Sequence, residues 1–243
     1  MSNRRDVYTS LMYHEIVDQK ITKCSVTSEY FRKQMEALRN AGVCSYDLGG
    51  DNDTPEGYFC LLTFDDGHKS NLEAARLLSE MGFKGYFYLI KDYSISNSEY
   101  LNEDAIREIA KMGHGIGVHG KDHGHWSKKE PCKLVAELRE TKDWIEQITG
   151  KEVITCSAPG GVIDQRTIDN IKNEIPELKY IRTSCYGVNN EGDTVLKSIG
   201  VLSNYSTGKV LRIAQNDYWE MKKIMTYYYV KETIKPLYHK LIK

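Results

Sequence analysis

The sequence predicts an α/β fold in which helices surround a parallel β-sheet, and three observations support this class. Short apolar runs of strand length alternate with segments of helical periodicity along most of the chain. Repeated strand–helix units of this kind are typical of parallel sheets covered by helices. The 243 residues are 40% hydrophobic and 28% charged, which suffices to bury a substantial core. Open parallel sheets and barrels share this alternation, so the pattern alone does not separate them.

The first half of the chain supplies four strand predictions and three helix predictions. The first helix is predicted from the helical spacing of Phe31, Met35 and Leu38, and Gly42 follows as a stop signal. The next two helices likewise stop at Gly82 and Gly113. The predicted strands cover residues 7–14, 58–64, 83–90 and 115–119, and the predicted helices cover 28–40, 70–81 and 102–112.

In the second half the longest helix is the clearest element. It is predicted over 131–149, with a proline at its first position and Gly150 after its end. The alternation weakens after Cys185, and no linker or internal repeat is visible. We therefore expect one domain over residues 1–243. The further predictions are strands over 153–157, 178–183 and 195–202 and helices over 164–175 and 217–240.

Composition excludes some classes of function. The net charge of −1 provides no basic field, so no nucleic-acid partner is expected. The six cysteines lack any C-x-x-C pair and are expected to be reduced and mostly buried. With no apolar leader at the N-terminus and no run long enough to span a bilayer, we expect a soluble, cytoplasmic chain.

Polar residues cluster after three of the predicted strands, where parallel α/β folds place functional groups. The first cluster is Asp65-Asp66-Gly67. Adjacent carboxylates at a strand end are costly unless a cation or proton satisfies them, and neighbouring side chains point in different directions. One aspartate can therefore bind a metal while the other faces a substrate. A solvated Asp-Asp-Gly turn is the alternative interpretation, and for this tripeptide alone it is the favoured one.

The second cluster contains His119, His123 and His125, and the third is a Pro159-Gly160-Gly161 turn. Histidines four residues apart suit one face of a helical turn and bind zinc readily. The turn leaves backbone N–H groups able to approach a ligand closely, although for this segment alone a plain turn is the favoured interpretation. Together, a carboxylate and two histidines form a set of three metal ligands with positions left for water and substrate.

These residues carry a resemblance to the polysaccharide deacetylase family, also called the NodB-homology family or carbohydrate esterase family 4. Thr63-Phe64-Asp65-Asp66-Gly67 matches that family's T-F-D-D-G motif letter for letter. The segment from His119 to His123 resembles the H-(S/T)-x-x-H motif, with Gly120 replacing the hydroxyl residue. The similarity runs from about residue 11 to residue 190, and the Pro-Gly-Gly turn resembles one subgroup of the family.

The resemblance implies a distorted (β/α) barrel of about seven parallel strands. It also implies that Asp65 is the general base and that Asp66, His119 and His123 bind zinc. Two histidines and a carboxylate would also suit cobalt, nickel or iron. The N–H of Gly160, beside Pro159, is expected to face the oxyanion of the reaction, and His125 is a candidate substrate contact.

The sequence departs from the family pattern at two catalytic positions. Ser157 stands where the family usually has an arginine that orients the base, which puts the tuning of Asp65 in doubt. The L-x-H motif that supplies the general acid is not assigned, because His239 lies in a helical tail context. His14, at the end of the first predicted strand, is the hypothesised acid, with a structural role as the alternative. His114 is expected to be structural.

The predicted function is metal-dependent removal of the N-acetyl group of an amino sugar in bacterial-type polysaccharide biosynthesis. The N-acetylated substrate could be a free oligomer or be linked to a nucleotide or a lipid. A non-catalytic carbohydrate-binding relative and a different amide hydrolase on the same scaffold are the alternatives. The C-terminal tail, residues 209–243, has eight basic and three acidic residues. It predicts either a solvated packing helix or peripheral contact with the inner face of the membrane.

Overall fold

The computed structural model of the protein describes residues 7–19, 22–50, 52 and 57–231. Twelve strands occur in these ranges, and most of them belong to one mixed sheet. In chain order they are β1 (Val7–Tyr13), β2 (Ile16–Val17), β3 (Val26–Thr27), β4 (Val43–Ser45), β5 (Tyr58–Phe64), β6 (Gly85–Leu89), β7 (Gly115–Val118), β8 (Thr155–Ser157), β9 (Tyr180–Arg182), β10 (Asn189–Asn190), β11 (Val195–Leu196) and β12 (Ile199–Gly200).

Eight α-helices in the described ranges connect and cover the strands. Several begin at a side-chain cap, such as Thr27, Asn102 and Asp164, whose oxygen accepts a hydrogen bond from a first-turn N–H. The helices are α1 (Ser28–Asn40), α2 (Asn71–Glu80), α3 (Lys91–Ser96), α4 (Glu103–Lys111), α5 (Pro131–Thr149), α6 (Gln165–Glu174), α7 (Thr207–Ala214) and α8 (Tyr218–Tyr229).

The main sheet curves into a nearly closed barrel with seven parallel strand positions. Strands β1, β5, β6, β7, β8 and β9 pair in that order, each parallel to its neighbour. The seventh position is shared by the two short strands β11 and β12. Its first half pairs with β9 and its second half pairs with β1, so it joins the two edges of the sheet. The geometry confirms the predicted barrel of about seven strands.

Side chains alternate between the inside of the barrel and its helix-covered outside. The outer faces of the strands pack against the helices, as Leu11 and Phe64 do with Phe31 of α1. The inner faces form a separate cluster in which tyrosine rings are prominent, and Leu48 from the loop after β4 joins it. Its strand residues are Tyr8, Phe59, Leu61, Tyr86, Tyr88 and Leu196. The tyrosine rings of β6 fit because β7 has glycine at the facing positions, where any side chain would overlap them. Above this packed interior lie the carboxyl ends of the strands.

Most predicted elements are confirmed, and the long helix α5 has the predicted bounds. The strand predicted over 195–202 is instead two short strands that pair with different neighbours. Helices α3 and α7 were not predicted. Of the helix predicted over 217–240, residues 218–229 are helical and the part after residue 231 lies outside the described residues.

All six cysteines are free thiols. The prediction that most are buried is wrong, because only Cys60 and Cys156 are buried while Cys132 and Cys185 are exposed. His114 is buried just before β7, where it lies 2.9 Å from the Ala75 carbonyl and accepts a bond from the Gly85 N–H. These contacts support the structural role expected for it. Within the described ranges no helix combines the length and apolarity needed to cross a bilayer.

Candidate active site

The two aspartates follow β5 directly, at the carboxyl end of the barrel. The Asp65 N–H donates a hydrogen bond to the Tyr13 carbonyl and so continues the pairing of β5 with β1 by one residue. Asp66 then takes a left-handed backbone conformation with φ of 70°. This conformation is unfavourable for a residue with a side chain and is common at functional sites. The reversal leaves Asp65 buried, with 4% of its surface exposed, while the side chain of Asp66 keeps 30%.

The two histidines come from the loop after β7 and meet Asp66. The Nδ1 of His119 lies 2.8 Å from the Ser157 carbonyl, so Nδ1 carries the hydrogen and Nε2 has a free lone pair. Nε2 of His119 is 3.2 Å from Asp66 Oδ1, and Nε2 of His123 is 3.3 Å from the same oxygen. One ligand atom from each of the three residues falls within 4.8 Å of the others.

This arrangement fits a divalent cation. Asp66 Oδ1 is buried without a geometrically good hydrogen bond, although two imidazole nitrogens face it. Burial alone would raise the pKa of Asp66, but the interactions with His119 and His123 outweigh it and lower the pKa below its ordinary range. The contact with Asp66 also raises the pKa of His123. One carboxylate with two imidazoles is a ligand set that zinc accepts, and the exposed side of His123 leaves an approach for substrate.

Gly120, which replaces the family's hydroxyl residue, is required by the local backbone. Its φ is +100°, which side chains rarely adopt. A Cβ at this position would lie 2.9 Å from the Asp122 carbonyl oxygen and 3.2 Å from the indole nitrogen of buried Trp126. The glycine therefore lets the loop turn tightly enough to bring His119 and His123 to the same carboxylate.

Arg182 in β9 adjoins the site and was not among the predicted site residues. Its side chain is fully buried, and its Nη2 donates hydrogen bonds to both Asp65 Oδ2 and Ser157 Oγ. Nη1 donates to Ser198 Oγ at 2.8 Å, and the guanidinium lies over the Tyr88 ring with its carbon 5.2 Å from the centroid. Ser157 and Arg182 are direct partners in the pairing of β8 with β9.

Arg182 supplies the orienting contact to Asp65 that Ser157 had left in doubt. The arginine that is absent at position 157 is replaced by one from the adjacent strand, and the smaller Ser157 leaves room for it. The guanidinium neutralises the buried carboxylate and fixes Oδ2. Oδ1 of Asp65 is buried and has no hydrogen-bond partner among the described residues, so it retains lone pairs that can accept a proton.

His14 follows β1 and lies next to Asp65, which follows β5. It follows Tyr13, which is paired with Phe64, so His14 continues β1 next to Asp65. Its backbone carbonyl accepts a 2.7 Å hydrogen bond from the Asn71 side chain. Its Nδ1 is buried and has no hydrogen-bond partner in the part of the chain that the structure describes. His14 is near enough to Asp66 for its charge to contribute to the lowered pKa of Asp66. The other histidine considered as an acid, His239, lies outside the described residues.

The turn after β8 borders the same site. Pro159 is buried, whereas Gly160 is exposed in a left-handed conformation with φ of 68°. The N–H of Gly161 is used in a 2.8 Å bond to the Ala158 carbonyl, so Gly160 is the glycine of this turn to consider as a donor to substrate. The His125 ring packs against Gly160, where a Cβ would be 3.3 Å from Cε1. The structure thus brings His125 to the turn and not to the ligand set.

Comparisons with known proteins agree with this geometry. The sequence profile of the polysaccharide deacetylase family matches residues 52–174, just over half of the chain. YxkH of Bacillus subtilis (strain 168), whose name places it among the polysaccharide deacetylases, is 26% identical over 166 residues. The match covers 65% of this chain and 58% of YxkH, so the chain spans less than two thirds of that relative.

Solved structures show the same fold. The Streptococcus pyogenes deacetylase PplD, solved in complex with acetate, matches with a TM-score of 0.78 at 19% identity and covers 86% of this chain and 98% of PplD. IcaB from Ammonifex degensii matches with a TM-score of 0.74 at 19% identity and covers 86% and 97%. The family match includes both aspartates and both histidines of the ligand loops. The chain therefore belongs to the polysaccharide deacetylase family.

Proposed function

We propose that the protein is a metal-dependent deacetylase that hydrolyses the N-acetyl group of an amino sugar. One observation carries the proposal: a set of three residues that could bind a metal lies beside the buried carboxylate of Asp65, which Arg182 orients. Asp65 Oδ2 is 3.9 Å from the Nε2 of His119, so the base and the ligands share one small site. A protein that only bound sugars would have no need of a carboxylate base held beside the ligand set by a buried ion pair.

The residues divide the reaction between them. Asp65 Oδ1 accepts a proton from water as the water oxygen forms a bond to the acetyl carbon. Arg182 holds the other oxygen of Asp65 and keeps the carboxylate oriented. The N–H of Gly160 donates a hydrogen bond to the carbonyl oxygen as negative charge develops on it. His14, in its protonated form, gives a proton to the nitrogen as the carbon–nitrogen bond breaks, and the products are acetate and a free amine.

Asp66, His119 and His123 would hold the cation. When bound, a divalent metal supplies Lewis-acid chemistry, which polarises the acetyl carbonyl and lowers the pKa of water. Zinc is the proposed metal because the ligands are one carboxylate and two imidazoles, and cobalt, nickel or iron would suit the same set.

Among possible substrates we propose N-acetylated sugar polymers or their precursors in bacterial-type polysaccharide biosynthesis. The family membership supports a glycan. The rim formed by half-buried Asp66 and exposed His123 and Gly160 supports a substrate that enters from solvent. Whether the sugar is free, nucleotide-linked or lipid-linked would depend on contacts beyond these residues.

The test is metal-dependent acetate release. Zinc-loaded protein is offered N-acetylglucosamine oligomers and nucleotide-linked and lipid-linked N-acetyl sugars, with chelator-treated protein and Asp65→Asn as controls. We expect acetate from the zinc-loaded wild type and a large loss in both controls. A protein that binds one zinc per chain and releases no acetate from any substrate in the panel would contradict the proposal.

The role of His14 has its own test. We expect His14→Ala to lower kcat by about 10²-fold or more, since general acid catalysis typically contributes 10²–10⁴. A matched substrate with a good leaving group, such as 4-nitrophenyl acetate, should be far less affected because it needs no protonation of the leaving atom. Near-normal turnover of the sugar amide by His14→Ala would reject the assignment.

For location, we propose a cytoplasmic protein that contacts the inner face of the membrane through α8. Trp219, Tyr227 and Tyr229 are 60–64% exposed on this helix, and Lys222 lies 5.4 Å from the centroid of the Trp219 ring. Aromatic side chains with neighbouring lysines suit an anionic membrane surface. We expect Trp219→Ser to weaken sedimentation with anionic vesicles. Undiminished binding after removal of residues 218–243 would contradict this.

A further inference from the structure

The segment 91–101, here called the strap, connects the two loops that carry the metal ligands. At its start, the N–H groups of Lys91 and Asp92 donate to the carbonyls of Gly120 and Lys121, at 3.2 and 2.9 Å. These acceptors lie between His119 and His123. At its end, the Leu101 N–H donates to the Gly67 carbonyl at 2.8 Å, one residue after Asp66. The strap therefore borders the site along the side between Asp66 and the histidines.

The second half of the strap is held firmly against the Asp66 loop. Tyr100 pairs with His68 in an antiparallel bridge, and the Lys69 N–H donates to the Glu99 carbonyl at 2.8 Å. Lys69 Nζ also lies 2.8 Å from Glu99 Oε1. Because both backbone and side chains fix this register, Tyr100 has a defined position next to the metal-ligand loop.

Three rings gather along the strap. The centroids of Tyr93 and Tyr100 are 4.8 Å apart, and the His68 ring packs edge-on at 6.3 Å from Tyr100. All three residues are half-buried, so part of each remains open to solvent. Burial and then the negative charge of Asp66 raise the pKa of Tyr100.

We propose that Tyr93 and Tyr100, supported by His68, form a binding wall for the pyranose ring that carries or adjoins the acetamido group. The inference rests on the proposed function and specifies its substrate as a sugar ring held against an aromatic surface. The apolar C–H face of a pyranose packs on tyrosine rings, and the hydroxyl groups can bond with ring hydroxyls at their edges. The strap supplies no group that the hydrolysis itself requires, so its residues are positioning and specificity residues.

This role has a signature that a purely structural role lacks. Loss of the wall should weaken binding of sugar substrates and leave hydrolysis of a small acetyl ester unchanged, because the ester has no sugar ring. Tyr100→Phe keeps the aromatic face and should keep most of the affinity, whereas Tyr100→Ala removes it. Tyr218→Ala is the matched control: Tyr218 is 65% exposed and lines a cavity with Val7 and Tyr58, the first residues of β1 and β5, at the opposite end of the barrel.

The experiment measures KM and kcat of the zinc-loaded wild type and the three variants on N-acetylglucosamine tetramer and on 4-nitrophenyl acetate. Calorimetric titration of the tetramer into metal-free protein gives the affinity without catalysis. We expect Tyr100→Ala to raise KM and the dissociation constant for the tetramer roughly three- to tenfold, with nitrophenyl acetate hydrolysis unchanged. Tyr100→Phe and Tyr218→Ala should stay within about twofold of the wild type.

The possible outcomes distinguish failure of the binding wall from failure of the proposed deacetylase function. If the wild type hydrolyses the tetramer and Tyr100→Ala behaves like Tyr218→Ala, the binding wall is refuted and the deacetylase function stands. If Tyr100→Ala loses nitrophenyl acetate hydrolysis in parallel with the tetramer, the strap maintains the metal loops and the binding wall is likewise refuted. If the wild type hydrolyses the ester but neither binds nor deacetylates the tetramer, the proposed sugar substrate itself is wrong.

Discussion

Replacing Arg182 with methionine removes the cation that faces Asp65 while keeping a side chain of similar length. In the native protein Arg182 is fully buried and bonds with Asp65, Ser157 and Ser198. Asp65 is 4% exposed, so the variant would leave a carboxylate buried without a counter-ion. Breaking a buried pair in this way typically costs about 3–5 kcal/mol, because the remaining charge is still excluded from water. We expect the free energy of unfolding of Arg182→Met to fall by about that amount.

The decisive comparison is a double-mutant cycle followed by urea denaturation at one fixed zinc concentration. Asp65→Asn removes the negative charge, so the double variant Asp65→Asn/Arg182→Met contains neither charge. We expect the double variant to be more stable than Arg182→Met, and the cycle to give a coupling energy of about 2 kcal/mol, within the range for groups in direct contact.

Activity provides the second part of this prediction. Arg182→Met should bind zinc nearly as well as the wild type, since its side chain does not contact Asp66, His119 or His123. Its kcat for acetate release should fall because Asp65 is no longer oriented. Strictly additive effects of the two substitutions on unfolding, or wild-type turnover by Arg182→Met, would refute the assignment of Arg182 as the residue that positions the base.

Two further predictions concern Gly120 and His114. Gly120→Ser should lower the free energy of unfolding by more than the control Gly192→Ser does. Gly192 has a similar φ of +88°, and a Cβ there would have nothing within 4 Å. For the control we expect a loss of about 1–2 kcal/mol from the backbone conformation alone. Equal losses in urea denaturation would show that the contact with the Asp122 carbonyl is unimportant. Burial lowers the pKa of His114 below its ordinary 6.5, so the unfolded chain gains the proton first as the pH falls. Stability from neutral His114 should be complete above pH 6.5 and decline below it. His114→Gln should flatten this part of the pH–stability curve, and an unchanged slope would contradict the assignment.

Local signals in the sequence explain which elements could be predicted. The bounds of α5 follow from Pro131 and Gly150, which start and stop the helix through their own backbone preferences. Strand β5 and its Asp-Asp-Gly end were visible as an apolar run meeting two carboxylates. Helix α3 has six residues and buries none of its side chains, so it leaves no apolar periodicity to detect. The segment that closes the barrel was predicted as one strand because the sequence does not show that its two halves, β11 and β12, pair with different strands.

The site was predictable where its residues adjoin in sequence and unpredictable where pairing brings them together. Asp66, His119 and His123 stand in short motifs, and one ligand atom from each lies within 4.8 Å of the others. Arg182 reaches Asp65 because β9 pairs with β8 and places Arg182 opposite Ser157. The sequence of neither strand alone predicts this register. A signal did exist: Arg182 is a charged residue inside an otherwise apolar strand, and such residues are rarely buried without a partner.

The central claim is that neighbouring aspartates have different tasks, with Asp66 binding the metal and Asp65 accepting the proton. The most direct test measures bound zinc and acetate release on the same samples of wild type, Asp65→Asn and Asp66→Asn. We predict that Asp65→Asn retains one zinc per chain and loses acetate release, while Asp66→Asn loses zinc affinity and activity together. Acetate release at the wild-type rate by zinc-loaded Asp65→Asn, or undiminished zinc binding by Asp66→Asn, would contradict it.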